Sequence, residues 1–283
     1  MEVCGFTIVR NGIKFKYPFI QSINSLLPLV DKLVINVGNS EDDTYNFIDK
    51  LNNHKIEIIK REWDMSLRVG GKVLSVETNE SLKHCKDKGV WGIYLQADEV
   101  IHEDDYSKLT SLLKKYKNSD NIDGFSFKYI HFEGNYNFVN PFRYRREVRV
   151  IRLNKNIISW GDAAGFRYDD GSKLKLVKTD LKIYHYGWVR SPEEMIKKRR
   201  EFEKMYHDDA YIKSKYTNID KYLYPNLDVC YKFRGTHPKV MQDRISSINW
   251  EINANRRLPL LLNPKVYKII LHKWGILKGD WNW

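Results

Sequence analysis

The alternation of apolar runs with helix-spaced stretches over about the first hundred residues constrains the fold more than any other feature of this chain. Residues 2–9 read as a strand, and Pro18 opens a helix over 18–27 that Pro28 closes, with Phe19, Ile23, Leu26 and Leu27 on one face. A second strand, Asp31 to Val37, runs out into Gly38-Asn39-Ser40-Glu41-Asp42-Asp43-Thr44, after which Tyr45, Phe47, Ile48 and Leu51 recur at helical spacing. Lys55 to Lys60 alternates as a third strand. Gly70 to Lys86 suits a longer helix with Val73, Val76, Leu82 and Cys85 inward, and Val90 to Gln96 is a fourth strand. Strands alternating with helices predict an α/β unit built on a parallel, doubly wound sheet. In such sheets ligands bind outside the carboxyl ends of the strands.

That rule directs attention to the stretch from Val90 to Glu103. An apolar run ends there at Leu95 and gives way to Gln96, Ala97 and two adjacent carboxylates, Asp98 and Glu99. Carboxylates at a strand end suit a hard divalent cation, whose remaining oxygen ligands a diphosphate can supply. Taken alone, the pair also fits a solvated acidic loop.

Beyond a helix expected at about 103–117, with Leu109, Leu112, Leu113 and Tyr116 apolar, the texture changes. Gly124 to Phe132 and Val148 to Leu153 alternate like strands of an antiparallel or mixed sheet, separated by a basic loop with Arg143, Arg145 and Arg146. Asp162 to Gly171 reads as loop and Leu174 to Tyr186 as one or two strands. Ser191-Pro192-Glu193-Glu194 is a helix start, with Ser191 the cap, Pro192 the first helical residue and Glu194 the capping-box partner. The helix that follows carries Lys197, Lys198, Arg199 and Arg200. Near the C-terminus, Val266, Ile269, Ile270, Trp274 and Leu277 form one stripe beside Lys265, Lys268 and Lys273. Such a stripe either lies on a membrane surface or packs on the main body.

The chain has 283 residues, 42% hydrophobic and 30% charged, and no apolar run of membrane-spanning length. The N-terminus carries Glu2 and no basic segment, so it reads as a first strand rather than a signal peptide, and the cytoplasm is the expected compartment. Cys4, Cys85 and Cys230 lie far apart with no Cys-x-x-Cys spacing, and are expected to be reduced and structural. A net charge of +12 attracts phosphate, whether on nucleotides, nucleic acid or anionic lipid.

Three segments, taken together and in order, resemble the family 2-like glycosyltransferases of the GT-A fold. They are Gln96-Ala97-Asp98-Glu99-Val100-Ile101-His102-Glu103, Asp162-Ala163-Ala164-Gly165-Phe166-Arg167, and Ile183-Tyr184-His185-Tyr186-Gly187-Trp188-Val189-Arg190. With the N-terminal strands the resemblance covers roughly residues 2–205. It implies a mixed, mostly parallel central sheet flanked by helices. The catalytic unit would span 1–206, divided into a nucleotide-sugar half at 1–103 and an acceptor-side half at 104–206, and a helical, basic extension would follow at 207–283.

The resemblance further implies a nucleotide-sugar donor, of the UDP- or GDP-sugar class, near Thr7, Val9, Arg10 and Asn11 and near the loop from Asn39 to Asp43. It places Gln96 and Ala97 beside the donor, and makes Asp98 and His185 ligands of Mn²⁺ or Mg²⁺. A carboxylate with a neutral imidazole suits Mn²⁺ better than an all-oxygen Mg²⁺ site. Gln96 stands where many relatives carry the first aspartate of the metal motif, which removes a negative charge. Asp162 is the expected general base and Glu99 the fallback, while Arg190, with Lys197 or Lys198, is expected to stabilise the leaving diphosphate. His102 and His131 are read as structural.

The expected activity is therefore metal-dependent, inverting transfer of a sugar to a hydroxyl of a glycan or lipid-linked acceptor. Two alternatives stand beside it: a nucleic-acid acceptor, motivated by the charge, and a catalytically degenerate sugar-binding module, motivated by Gln96. Peripheral membrane contact would run through the C-terminal stripe.

Overall fold

The computed structural model of the chain describes residues 2–253 and 262–273. In the N-terminal half, strand β1 (Val3–Val9) lies between β2 (Lys32–Gly38) and β4 (Trp91–Tyr94), and β3 (Ile56–Arg61) pairs with β2, all four parallel. All seven residues of β1 are buried, as expected of a central strand with neighbours on both edges and helices over both faces. The crossovers are α1 (Phe19–Leu26), α2 (Thr44–Asp49) and α3 (Lys72–Cys85). Phe19, Ile23 and Leu26 form the buried face of α1, at the spacing the sequence shows.

The second half turns the sheet from parallel to mixed. After the short strand β5 (Glu99–Ile101) and helix α4 (Tyr106–Lys115) come β6 (Gly124–Gly134), β7 (Phe138–Val139) and β8 (Arg146–Arg152). β8 inserts antiparallel between β4 and β6. The long β11 (Leu176–Val189) runs parallel to β6 and antiparallel to β5. Among the described residues the sheet has ten strands, in the order β12 (Tyr231–Lys232), β7, β6, β8, β4, β1, β2, β3, with β11 and β5 off this path. The mixed, helix-flanked α/β sheet implied by the sequence is the architecture of the chain.

Three features differ from the sequence expectations. Asp162 to Gly171 is not all loop, because β9 (Ile157–Trp160) and β10 (Gly165–Tyr168) form an antiparallel hairpin with Asp162 at its turn. Cys4 and Cys85 are not reduced but joined in a disulfide, linking β1 to the end of α3 with Cα atoms 5.7 Å apart. Their separation of 81 positions in sequence hid a contact that exists only once α3 has folded back on β1.

Thirdly, the chain beyond α5 (Pro192–Glu203) is not wholly helical. Besides α6 (Asp209–Tyr216), α7 (Gln242–Ser246) and α8 (Pro264–Lys273) it supplies β12 (Tyr231–Lys232), which pairs with β7. Met241 is buried with Phe132, Tyr136 and Tyr186 of the main body. In α8, Val266 and Ile269 are buried against Phe142 and Val229, so this part of the stripe packs inward. Trp274 and Leu277 lie outside the described residues. No helix among the described residues is long and apolar enough to cross a membrane.

Candidate active site at the carboxyl end of β4

β4 delivers Gln96, Ala97 and Asp98 to the rim of a cavity of about 830 Å³. A turn closed by the Glu99 N–H on the Gln96 carbonyl (3.0 Å) sends the chain into β5. There the Tyr186 N–H donates to the Asp98 carbonyl at 2.9 Å, and register pairs Glu99 with His185. Adjacent residues of an extended chain face opposite ways, so the two carboxylates separate. Asp98 lines the cavity with His185, while Glu99 turns into the interior.

Glu99 is fully buried in a two-pronged ion pair with Arg149: Nε and Nη2 each donate to a carboxylate oxygen at 2.7 Å. The Tyr129 hydroxyl (2.7 Å) and the Gln96 N–H (3.1 Å) also donate to it. Its lone pairs are committed to donors, which removes the ground for the fallback base. Arg149 also donates from Nη1 to the Ala164 carbonyl at 2.8 Å, and Gln96 Nε2 donates to the Ala163 carbonyl at 3.2 Å. Glu99, Arg149 and Gln96 thereby tie the Asp98 turn to the hairpin that carries Asp162. Ala163 holds φ of 63° at that turn, a conformation that costs a non-glycine residue on the order of 1 kcal/mol or more and persists only where surrounding bonds enforce it. Asp162 lines the cavity and accepts a 2.9 Å hydrogen bond from the Tyr206 hydroxyl on Oδ2.

Basic side chains surround Asp98. Its Oδ1 lies 3.8 Å from His185 Nε2 and its Oδ2 3.8 Å from Lys198 Nζ. Burial pushes the Asp98 carboxyl up, but His185, Lys198 and Arg190 together hold it below the usual carboxylate range. Burial pushes the His185 imidazole down against the pull of Asp98 and Glu99, so the ring is neutral near pH 7. Burial, reinforced by Arg190, drives the Lys198 ammonium well below its ordinary value.

This donor set fits a divalent cation. Two donors 3.8 Å apart can both reach one ion at metal–ligand distances of about 2.1 Å. Gly187 stands beside them without a side chain: a Cβ there would collide with Asp98 Oδ2 and lie 2.7 Å from His185 Cε1. A second group, His102, Glu103 and Asp104, offers ligand atoms within 4.8 Å of one another. It is absent from the cavity lining. Its imidazole is already used, Nδ1 accepting from the Asp104 N–H (3.2 Å) and Nε2 bonded to Thr236 (3.1 Å).

Of the residues marked by the sequence, Val9, Arg10, Gln96, Ala97, Asp98, Asp162 and His185 line the cavity. Thr7 and Asn11 are buried behind its wall, Asn11 accepting from the Glu41 N–H at 2.7 Å. Asn39 is held by Arg10 (3.2 Å), and Asp43 is exposed at the start of α2, bonded to Asn46. Arg190 is buried behind the lining and donates to the carbonyls of Phe15 (2.7 Å) and Gly187. Of the two lysines left open, Lys197 faces solvent and pairs with Glu194 at 3.4 Å, whereas Lys198 enters the cavity. Sequence reasoning read His131 as structural and passed over Tyr17 and Tyr206, yet all three line the cavity. Tyr129, His131 and Glu133 at alternate positions of β6 are the one local signal of His131.

No protein-family model matches this sequence, and no curated protein does. Among solved structures, the chain is similar to S. aureus TarS at 14% identity and a TM-score of 0.44, over 71% of this chain and 39% of that one. It is similar to S. aureus TarS 1–349 in complex with UDP at 13% identity and a TM-score of 0.41, over 77% of this chain and 70% of that one. It is also similar to glucosyl-3-phosphoglycerate synthase from Mycobacterium tuberculosis in complex with Mn²⁺, UDP and glucosyl-3-phosphoglycerate, at 12% identity and a TM-score of 0.41, over 74% of this chain and 81% of that one.

Proposed function

We propose that this chain is a GT-A-type glycosyltransferase that moves a sugar from a nucleoside-diphosphate donor to an acceptor hydroxyl, with inversion at the anomeric carbon. The observation that carries the reading is the pair Asp98 and His185, cleared of side chain by Gly187, facing the same cavity as Asp162. Asp98 and His185 would hold Mn²⁺ or Mg²⁺, which supplies Lewis-acid stabilisation of the diphosphate charge.

The chain's own residues supply the rest. Tyr206 fixes one oxygen of Asp162, leaving the other to take the acceptor's proton as its oxygen bonds the anomeric carbon. In the same displacement the bond from that carbon to the diphosphate oxygen breaks. Lys198, beside Asp98 and inside the cavity, has its ammonium form disfavoured by burial and Arg190, and the negative charge accumulating on the departing diphosphate favours that form and is met by it. Arg10 lines the donor side and is steadied by Asn39. Removing a general base costs on the order of a hundredfold or more in rate.

Binding of UDP and GDP, measured calorimetrically with Mn²⁺ and again with EDTA, tests the donor side. One of the two is expected to bind in a metal-dependent manner that Asp98→Ala abolishes. Equal affinity in metal and in EDTA would remove the metal from the reading.

A further inference from the structure

His131 and His185 are Cα partners on the parallel strands β6 and β11, 54 residues apart in sequence. Their Nδ1 atoms are 3.3 Å apart, and the other nitrogen of His131, Nε2, lies 2.8 Å from the Tyr144 carbonyl oxygen. Both rings are buried, His131 at 2% exposure and His185 at 7%. A carbonyl oxygen can only accept, so His131 Nε2 carries a proton and donates it. In a neutral ring that leaves His131 Nδ1 bare and able only to accept. The Nδ1–Nδ1 bond then requires His185 Nδ1 to be the donor, and His185 Nε2, the atom facing Asp98, is left with its lone pair. The opposite tautomer of His185 would set two bare nitrogens against each other and bury both unpaired.

Resting on the metal reading above, we propose that His131 is a positioning residue that locks His185 in the tautomer whose Nε2 can ligate the cation. The Tyr144 carbonyl is the anchor of the relay. It is set by the loop between β7 and β8, whose Arg145 carbonyl accepts the Tyr129 N–H at 3.0 Å. Hydrogen bonds of this kind from outside the ligand shell raise metal affinity by about 10- to 100-fold.

The test uses the full chain, native and with His131→Leu or His131→Asn, in two measurements. Asn places a carbonyl oxygen near the position of Nδ1 and keeps the acceptor, whereas Leu removes it. In metal-free protein, nitrogen-15 NMR of the imidazoles is expected to show His185 protonated at Nδ1 and bare at Nε2 in the native chain and in His131→Asn. In His131→Leu it should show a mixture or the reverse. Calorimetric titration with Mn²⁺ alone is expected to show at least tenfold weaker binding for His131→Leu, with His131→Asn restoring most of it. Thermal melts in EDTA identify any variant that is not folded, and the native and His131→Asn spectra then decide. A proton on Nε2 of native His185 overturns the proposal, as does unchanged tautomer and Mn²⁺ affinity in folded His131→Leu. A native chain with the stated tautomer that binds no Mn²⁺ locates the failure in the metal reading and overturns the role given to the relay.

Discussion

A methyl group at position 187 would press on the Asp98 carboxylate and on His185, which makes Gly187 the most economical residue for separating cation binding from folding. Its backbone lies in strand β11, so alanine fits the main chain. Gly187→Ala is expected to weaken Mn²⁺ binding tenfold or more while the melting temperature in EDTA moves by only a few degrees, and titration calorimetry with a thermal melt checks both. Glu147 gives a second test, on pH. Burial pushes its carboxyl up to about 7, against the pull of Arg149 and with help from Glu99 and Asp162. The folded chain therefore holds a proton that the unfolded chain, with an ordinary carboxyl near 4.5, gives up. The stability it contributes is complete below the unfolded value and is lost as pH rises through about 7. Urea midpoints should fall from pH 5 to pH 8 in the native chain and fall less in Glu147→Gln.

At the scale of elements, the site depends on two turns held together from beneath. Glu99 belongs to the turn after β4 and Arg149 to β8, and Arg149 reaches on to the Asp162 hairpin. Arg149→Met would strand a buried carboxylate, at a cost of about 3–5 kcal/mol. A clear drop in the urea midpoint, together with slower turnover, is expected; slower turnover of Glu99→Gln at unchanged stability would instead return Glu99 to the role of base. The elements themselves were legible wherever one strand or helix carries its own pattern. The buried run of β1, the stripe of α1 and the Ser191 cap, whose hydroxyl accepts the Glu194 N–H at 3.3 Å, all follow from neighbours in sequence. Asp98, Asp162 and His185 could be marked from their motifs, but the division of labour between Asp98 and Glu99 could not. It depends on Arg149, 50 residues away in sequence and brought close by strand order. The same holds for His131, whose partner is fixed by the register of β6 with β11, and for Lys198, which the rotation of about 100° per residue along α5 points away from its exposed neighbour Lys197.

On the scale of the whole molecule, helix α8 packs against the cavity wall. Phe142 lines the cavity on one side and packs with Val266 and Ile269 of α8 on the other. Ile269→Ala is expected to cost about 2–4 kcal/mol by opening a void behind Phe142, read as a lower unfolding midpoint, and to weaken ligand binding through the displaced wall. The central claim concerns turnover, and release of free nucleoside diphosphate from a panel of nucleotide sugars, with Mn²⁺ and with EDTA, tests it most directly. Native chain should release diphosphate from one class of donor in Mn²⁺ only, and Asp98→Ala and Asp162→Ala should each reduce that release by on the order of a hundredfold or more. Release that survives either substitution would contradict the assigned site, and tight donor binding without release, across a broad acceptor panel, would make the chain a sugar-binding module instead.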